Sequence, residues 1–205
     1  MGMIARHSRT GAHMATPNPA AMEFFLSRRS RPARLLRPPV PTEAELMPLL
    51  TAAARVPDHG KLEPWRFLVL ERPALTRLAG LARARGEEVG VAPDRLDKDV
   101  AQFADASLIV AVVMVPRPAD KAPEIEQVLS AGAVCLTLLN AALASGWDAC
   151  WLTGWHVHDP DFARGALGLA EGERVAGLIH IGTAASAPPE RPRPDVAAIT
   201  TWLRE

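Results

Sequence analysis

Leu108-Ile109-Val110-Ala111-Val112-Val113-Met114-Val115, closed by Pro116, is an unbroken apolar run rich in branched side chains. Branched side chains favour extended backbone, and a strand with no polar side is one covered on both faces. The run therefore reads as a central strand between two covering layers. Toward the C-terminus, Glu124 to Ser145 is long and apolar nearly all round, with Gly146 as its stop. That pattern predicts a helix covered on every side. A single small domain seldom covers such a helix alone, so a homodimer is expected.

The remaining elements fall out on either side. Before the strand, Ala20 to Arg29 suits a short helix that Arg-Arg-Ser-Arg-Pro stops, and Thr42 with Glu45 forms a capping box ahead of Leu46, Leu49, Leu50 and Ala53. Arg66 to Leu70 reads as a strand. Pro73 opens a helix to Arg85, and Asp94 is expected to cap another through Phe103. After Gly146, Asp148 to Leu152 reads as a strand, Asp159-Pro160 starts a helix to Leu167, and Val175 to Ile181 is a further strand. Residues 1–19 have no periodicity and read as a flexible N-terminal tail. The single domain is assigned to 20–205, with a proline-rich stretch from Ala184 wrapping over its surface. Strands separated by helices give an α+β class with a central mixed sheet.

At 205 residues and 48% hydrophobic content the chain can bury a sizeable core, which excludes a wholly disordered protein or a fibre. No run demands a membrane span, and no secretory signal is recognisable, so a cytoplasmic location is expected. Cys135 and Cys150 sit in apolar segments without a Cys-x-x-Cys pair, as buried thiols do in a reducing compartment. The 23 basic and 23 acidic residues balance, yet up to Pro41 the sole acid is Glu23, against Arg6, Arg9, Arg28, Arg29, Arg31, Arg34 and Arg37. Guanidinium binds phosphate through paired hydrogen bonds, so an anionic partner is one reading and a solvated basic face the other.

Several common chemistries are absent from the sequence: there is no Gly-x-Gly-x-x-Gly, no Walker loop and no Gly-x-Ser-x-Gly. His156 and His158 alternate beside Asp159, but no third ligand has sensible spacing, and no metal site is assigned. Trp147, Trp151 and Trp155 recur every four residues; with Gly146 ending the helix, the first two read as one strand face. Trp151 leads into Leu152, Thr153 and Gly154, a small turn whose backbone N–H groups suit the edge of a planar ligand. The loop Arg55 to Trp65, with Asp58, His59 and Gly60, gathers polar and turn-forming residues between a helix and a strand. It reads either as functional or as a simple closed turn.

Four motifs in this order, Arg28-Arg29-Ser30, the Arg55 to Trp65 loop, Ser130-Ala131-Gly132-Ala133 and Trp151-Leu152-Thr153-Gly154, resemble the FMN-dependent nitroreductase family, in its short single-domain bacterial branch. The likeness runs from about residue 21 to about 193. It implies an intertwined α+β homodimer that binds FMN between subunits and takes hydride from NADH or NADPH. By the same resemblance Arg28 and Ser30 meet the phosphate and ribityl end, and Arg29 lies nearer the ring. Arg55 and His59 contact the cofactor from one subunit or the other. Trp151, Leu152, Thr153 and Gly154 line the ring, and Arg191 and Arg193 close on the phosphate. No side chain is assigned as a catalytic residue, because the flavin carries the chemistry. The sequence departs from the family pattern at Glu63, at Gly60-Lys61, at Leu136-Thr137 and after Gly182-Thr183. Asn140, on an otherwise apolar helix, reads as a pair across a dimer axis or as a locally satisfied core amide.

The activity implied is hydride transfer from NAD(P)H to flavin and then to a nitroaromatic, quinone or similar conjugated acceptor, in a ping-pong cycle. The same scaffold also suits dehydrogenase or reductive-elimination chemistry. A third reading, a nucleic-acid binding arm at the basic N-terminus, is set against a neutral body with 5% aromatic residues, no tyrosine and no reading motif. Neither nucleic acid nor membrane is therefore expected as a partner.

Overall fold

The computed structural model describes residues 16–186 and 188–204. Most of the expected tail, with Arg6 and Arg9, lies outside the described residues. Helix α1 (Pro19–Ser27) begins on a proline, and the Asn18 side chain accepts from the Ala21 N–H as its cap. A short 3₁₀ turn (Ala33–Leu35) leads into the two-residue strand β1 (Leu36–Arg37). Helix α2 (Glu43–Ala53) carries the complete capping box between Thr42 and Glu45. Strand β2 (Trp65–Glu71) is followed by α3 (Arg72–Glu88) and α4 (Pro93–Ala104). Ala92 rather than Asp94 holds the N-cap position of α4; Pro93 opens the helix, so Asp94 falls inside the first turn.

Strand β3 (Leu108–Met114) is buried at every position. Helix α5 (Glu124–Ala144), strand β4 (Asp148–Leu152), a single turn α6 (Trp155–His158), helix α7 (Pro160–Leu167) and strand β5 (Arg174–Ala184) complete the domain. Gly182 and Thr183 lie within β5, where Thr183 pairs with Arg37 of β1.

The sheet runs β1-β5-β3-β2, with β4 on the other side of β5: His180 faces Ile109 across one ladder and Cys150 across the other. Every pair among the described residues is antiparallel, which corrects the mixed sheet expected from the alternation of strands and helices. The reason lies in the connections. Two helices stand between β2 and β3, and two between β4 and β5, and each pair returns the chain in the opposite direction, as does the single helix α2 between β1 and β2. Only α5, a single helix, joins two strands of like direction, and these flank β5 without touching.

Alternation along β3 splits the core in two. Ile109, Ala111 and Val113 join one cluster with Leu75, Leu78, Phe103, Val157 and Phe162 from α3, α4, α6 and α7. Leu108, Val110 and Val112 join the other with Leu46, Leu49, Leu138 and Ala142 from α2 and α5. The strand is thus covered on both faces, as its sequence requires. Helix α5 is not. Its Ile125, Leu129 and Leu136 are 61%, 65% and 46% exposed, on the face turned away from the sheet. This helix is long and apolar enough to cross a membrane, yet its other face packs into the core.

Candidate functional site

Where α1 stops, the chain presents Arg28, Arg29, Ser30 and Arg31 in succession, and all four side chains make contacts. The Arg28 N–H caps α1 by donating to Phe24 O at 2.8 Å, and its guanidinium Nη2 donates to Ser30 Oγ at 3.0 Å. Arg29 Nη2 donates to the carbonyl of Pro189 at 2.9 Å. Arg31 anchors the segment to the first turn of β4: its Nε lies 2.8 Å from Asp148 Oδ1, and its N–H donates to Ala149 O at 2.9 Å. Asp148 reaches the other way too, accepting from the Ala184 N–H at 2.8 Å. One carboxylate therefore ties the arginine segment to the end of β5.

The C-terminal chain returns to the same place. Glu190 sits between Arg193, at 2.8 Å, and Arg29, whose Nε is 3.8 Å away and beyond hydrogen-bond range. The Arg28 guanidinium is held below its ordinary pKa by burial first, then by Arg193 and Arg29 beside it. The Glu190 carboxyl is lowered by its bond from the Arg191 N–H and by the neighbouring Arg193 and Arg29. The Nε atoms of Arg28 and Arg29 are buried and have no hydrogen-bond partner. Beside them opens a cavity of about 490 Å³, lined by Phe24, Ser27, Arg28, Arg29, Arg31 and Trp147 among others. Crowded guanidinium groups with unspent donors on a concave surface are what a phosphate monoester requires.

The site residues expected from sequence separate into groups. Arg28 and Arg29 line the cavity, Ser30 accepts from Arg28, and Arg193 stands near Arg28 and pairs with the same Glu190 that faces Arg29. Arg191 contributes its backbone N–H to Glu190 but no side-chain bond among the described residues. Trp151, Leu152, Thr153 and Gly154 follow from the strand that starts at Asp148, so β4 carries the chain roughly 13 Å from the arginines to the turn, at about 3.3 Å per residue. Trp151 is partly exposed, and its indole lies across Gly177, where any side chain would collide with it.

The loop Arg55 to Trp65 lies elsewhere. His59 Nδ1 is 2.6 Å from Glu126 Oε2, and Ser130 Oγ donates to Pro57 O at 2.7 Å, both near the start of α5. Lys61 and Glu63 adopt φ values of 55° and 48°, an unusual left-handed pair held by the Asp58 carboxylate, which accepts from the Glu63 N–H at 2.7 Å. Arg55 is exposed and has no side-chain partner among the described residues. The cavity borders Leu143 and Gly146, at the other end of the same helix. From Ser130 to Leu143 the helix rises about 20 Å, at 1.5 Å per residue. Within one chain, Arg55 and His59 therefore do not join the arginine cavity.

Other candidates are resolved by burial. His156 and His158 lie on the single turn α6 after β4; His156 is fully buried while His158 is exposed. Asp159 caps α7 and pairs with Arg85 at 3.0 Å, which holds its carboxyl below the ordinary range. The three side chains thus serve different contacts. Burial pushes the Cys135 and Cys150 thiols up to about 12, leaving both protonated and unreactive at neutral pH. Asn140 Oδ1 is buried without a partner, so the amide is not satisfied locally. Sequence reasoning did not find Asp148 or Glu190 as site residues. Their roles depend on contacts between segments far apart in the chain, for which the sequence carries no local signal.

An antiparallel α+β sheet between two helical layers, with an arginine-lined cavity beside its β4 edge, defines the class of protein. The nitroreductase family model matches residues 26–183, and the chain belongs to that family. It is 32% identical over 163 residues to "Putative NAD(P)H nitroreductase YdjA" of Escherichia coli (strain K12), a match covering 80% of this chain and 87% of that protein. It is 35% identical over 164 residues to a Haemophilus influenzae protein of the same description, covering 80% and 88%. Among solved structures, the FMN-dependent nitroreductase NfnB from Mycobacterium smegmatis, in complex with NADPH, superimposes with a TM-score of 0.71. That match has 20% identity and covers 91% of this chain and 99% of that one.

Proposed function

We propose that this chain is an FMN-dependent oxidoreductase that draws hydride from NADH or NADPH and passes it to a nitroaromatic, quinone or similar conjugated acceptor. The observation that carries the reading is the cavity itself: Arg28 and Arg29 bring buried, unpartnered donors to it, and Arg193 arrives from the far end of the chain. Arg28, Arg29 and Arg193 would hold the phosphate, with Ser30 beside it and the Trp151 to Gly154 turn along the ring. FMN, when bound, supplies the hydride chemistry. The protein's part is to fix the phosphate by charge, to present backbone N–H groups from the turn, and to leave one opening that donor and acceptor use in turn. That sharing gives the ping-pong order.

Two copies are part of the same proposal. The exposed apolar stripe of α5, the exposed Met22, Phe25 and Leu26 of α1, and Val196, Ile199, Trp202 and Leu203 of the C-terminal segment are more apolar surface than a single chain ordinarily leaves uncovered. A partner also brings its own Arg55 and His59, whose loop one chain holds at the opposite end of α5 from its cavity. The names of the Escherichia coli and Haemophilus influenzae relatives support the donor, and NfnB supports the cofactor.

The test is to incubate the purified protein with FMN, pass it through gel filtration, and record the visible spectrum of the protein peak. Flavin absorbance co-eluting at the volume of a dimer is expected, followed by bleaching on anaerobic addition of NADH or NADPH. Flavin that separates fully from the protein would defeat the proposal. A panel of nitroaromatic and quinone acceptors then distinguishes this activity from dehydrogenase or reductive-elimination chemistry.

A further inference from the structure

The Gly154 turn has a front, where the proposed function sets the flavin ring, and a back, which that function leaves unexplained. Packed against the Gly154 α-carbon lies the imidazole of His156. A β-carbon placed on Gly154 would sit 2.5 Å from His156 Cε1 and 2.9 Å from Nδ1, closer than carbon atoms pack. The Gly154 backbone is extended, with φ −168° and ψ 173°, so what requires glycine here is the closeness of this ring rather than the backbone conformation.

The ring cannot retreat. It has no exposed surface, and it is boxed by Phe103 at 4.9 Å, Phe162 at 5.8 Å and Trp155 at 5.8 Å between centroids, all edge-on. The helix that follows is fixed in turn, because Arg85 grips both Asp159 and Asp161, at 3.0 and 2.7 Å. Neither imidazole nitrogen has a hydrogen-bond partner. Burial holds this histidine down to about 4, so at neutral pH the ring packs as an uncharged wedge.

We infer that His156 is a positioning residue: wedged between an aromatic box and the Gly154 α-carbon, it sets how far the 151–154 turn stands forward toward the flavin ring. The inference rests on the flavin reading above. The imidazole is narrower than a phenyl ring, so it fixes a set-back that phenylalanine would overfill and alanine would leave unsupported.

The experiment is a double-mutant cycle of Gly154→Ala and His156→Ala, read by the FMN dissociation constant, the midpoint potential of the bound flavin and the melting temperature. Gly154→Ala alone drives its new methyl into the ring; it is expected to weaken FMN binding about tenfold and to shift the potential. In the double variant the truncated side chain frees that space, so most of the loss returns and the two changes are strongly non-additive. His156→Phe, whose wider ring presses on the turn, carries the test should Gly154→Ala fail to fold: it is expected to shift the flavin potential, together with a modest loss in melting temperature from overfilling.

Additive effects on FMN binding and potential would overturn the inference. So would coupling confined to melting temperature, which would make His156 a packing residue only. A parent protein that holds FMN while the cycle is additive defeats this inference alone. A parent that does not hold FMN defeats the functional reading beneath it.

Discussion

The two faces of the sheet are built from alternate residues of the same strands, yet they are finished differently. On one face, α3, α4, α6 and α7 close completely over Ile109, Val113 and Leu178, around the fully buried Phe103 and His156. On the other, α2 and α5 bury Val110, Val112 and Ile179 but leave an apolar stripe of α5 outside. The arginine cavity and the strained loop lie at the two ends of this second helix. The closed face spends its hydrophobic groups on the chain's own stability. The open face keeps apolar surface and positive charge in reserve for other molecules, and the proposed site belongs to it. The closed face contributes rigidity from behind, through His156.

This contrast can be broken most forcefully at the closed face. Phe103→Ala is expected to cost about 3–5 kcal/mol, seen as a lower urea midpoint, because its ring is fully buried among groups that cannot collapse onto the void. Acid acts on the same region. His156 and His180 are pushed by burial from an ordinary 6.5 down to about 4. Both are therefore neutral when folded, while the unfolded chain takes up protons first. Their contribution is complete above about pH 6.5 and is lost as pH falls toward 4, by up to roughly 3 kcal/mol for each histidine. Urea midpoints across that interval should fall in the parent and fall less in His156→Phe.

Smaller effects are expected at the open face. Thr42→Ala removes the cap of α2 and is expected to cost about 1 kcal/mol in the same unfolding assay. Leu129→Asp, on the exposed stripe of α5, should change the stability of an isolated chain by no more than about 0.5 kcal/mol. In sedimentation it should nonetheless convert the proposed dimer to monomer. A dimer unaffected by Leu129→Asp would place the second copy elsewhere.

What the sequence made legible is what neighbouring residues decide. Strand β4 begins at Asp148 and ends at Leu152 as expected, Asp159 caps α7, and the Thr42–Glu45 box starts α2, because each depends on a few adjacent side chains. Direction in the sheet was not legible. It depends on how the connecting helices pack, since the single helix α2 reverses the chain while the single helix α5 does not, and the mixed sheet became an antiparallel one. Strand β1 has two residues and exists only because Leu36 and Arg37 meet Ala184 and Thr183. At the site, the arginines were visible as a charge cluster, and the Arg28 to Arg193 proximity was expected from a resemblance. That Glu190 would stand among them, and that Asp148 would pin Arg31, are long-range pairings without local pattern. Arg55 and His59 were expected at the cofactor, and the single chain holds them at the opposite end of α5.

The central claim is that guanidinium groups from both ends of the chain grip a phosphate in the cavity beside β4. The direct measurement is the FMN dissociation constant of the apoprotein, by flavin fluorescence titration, for the parent and for the Arg28→Ala, Arg193→Ala double variant. The account predicts a loss of about a hundredfold or more in the double variant with the fold intact by circular dichroism. Equal affinity in the two proteins would contradict it.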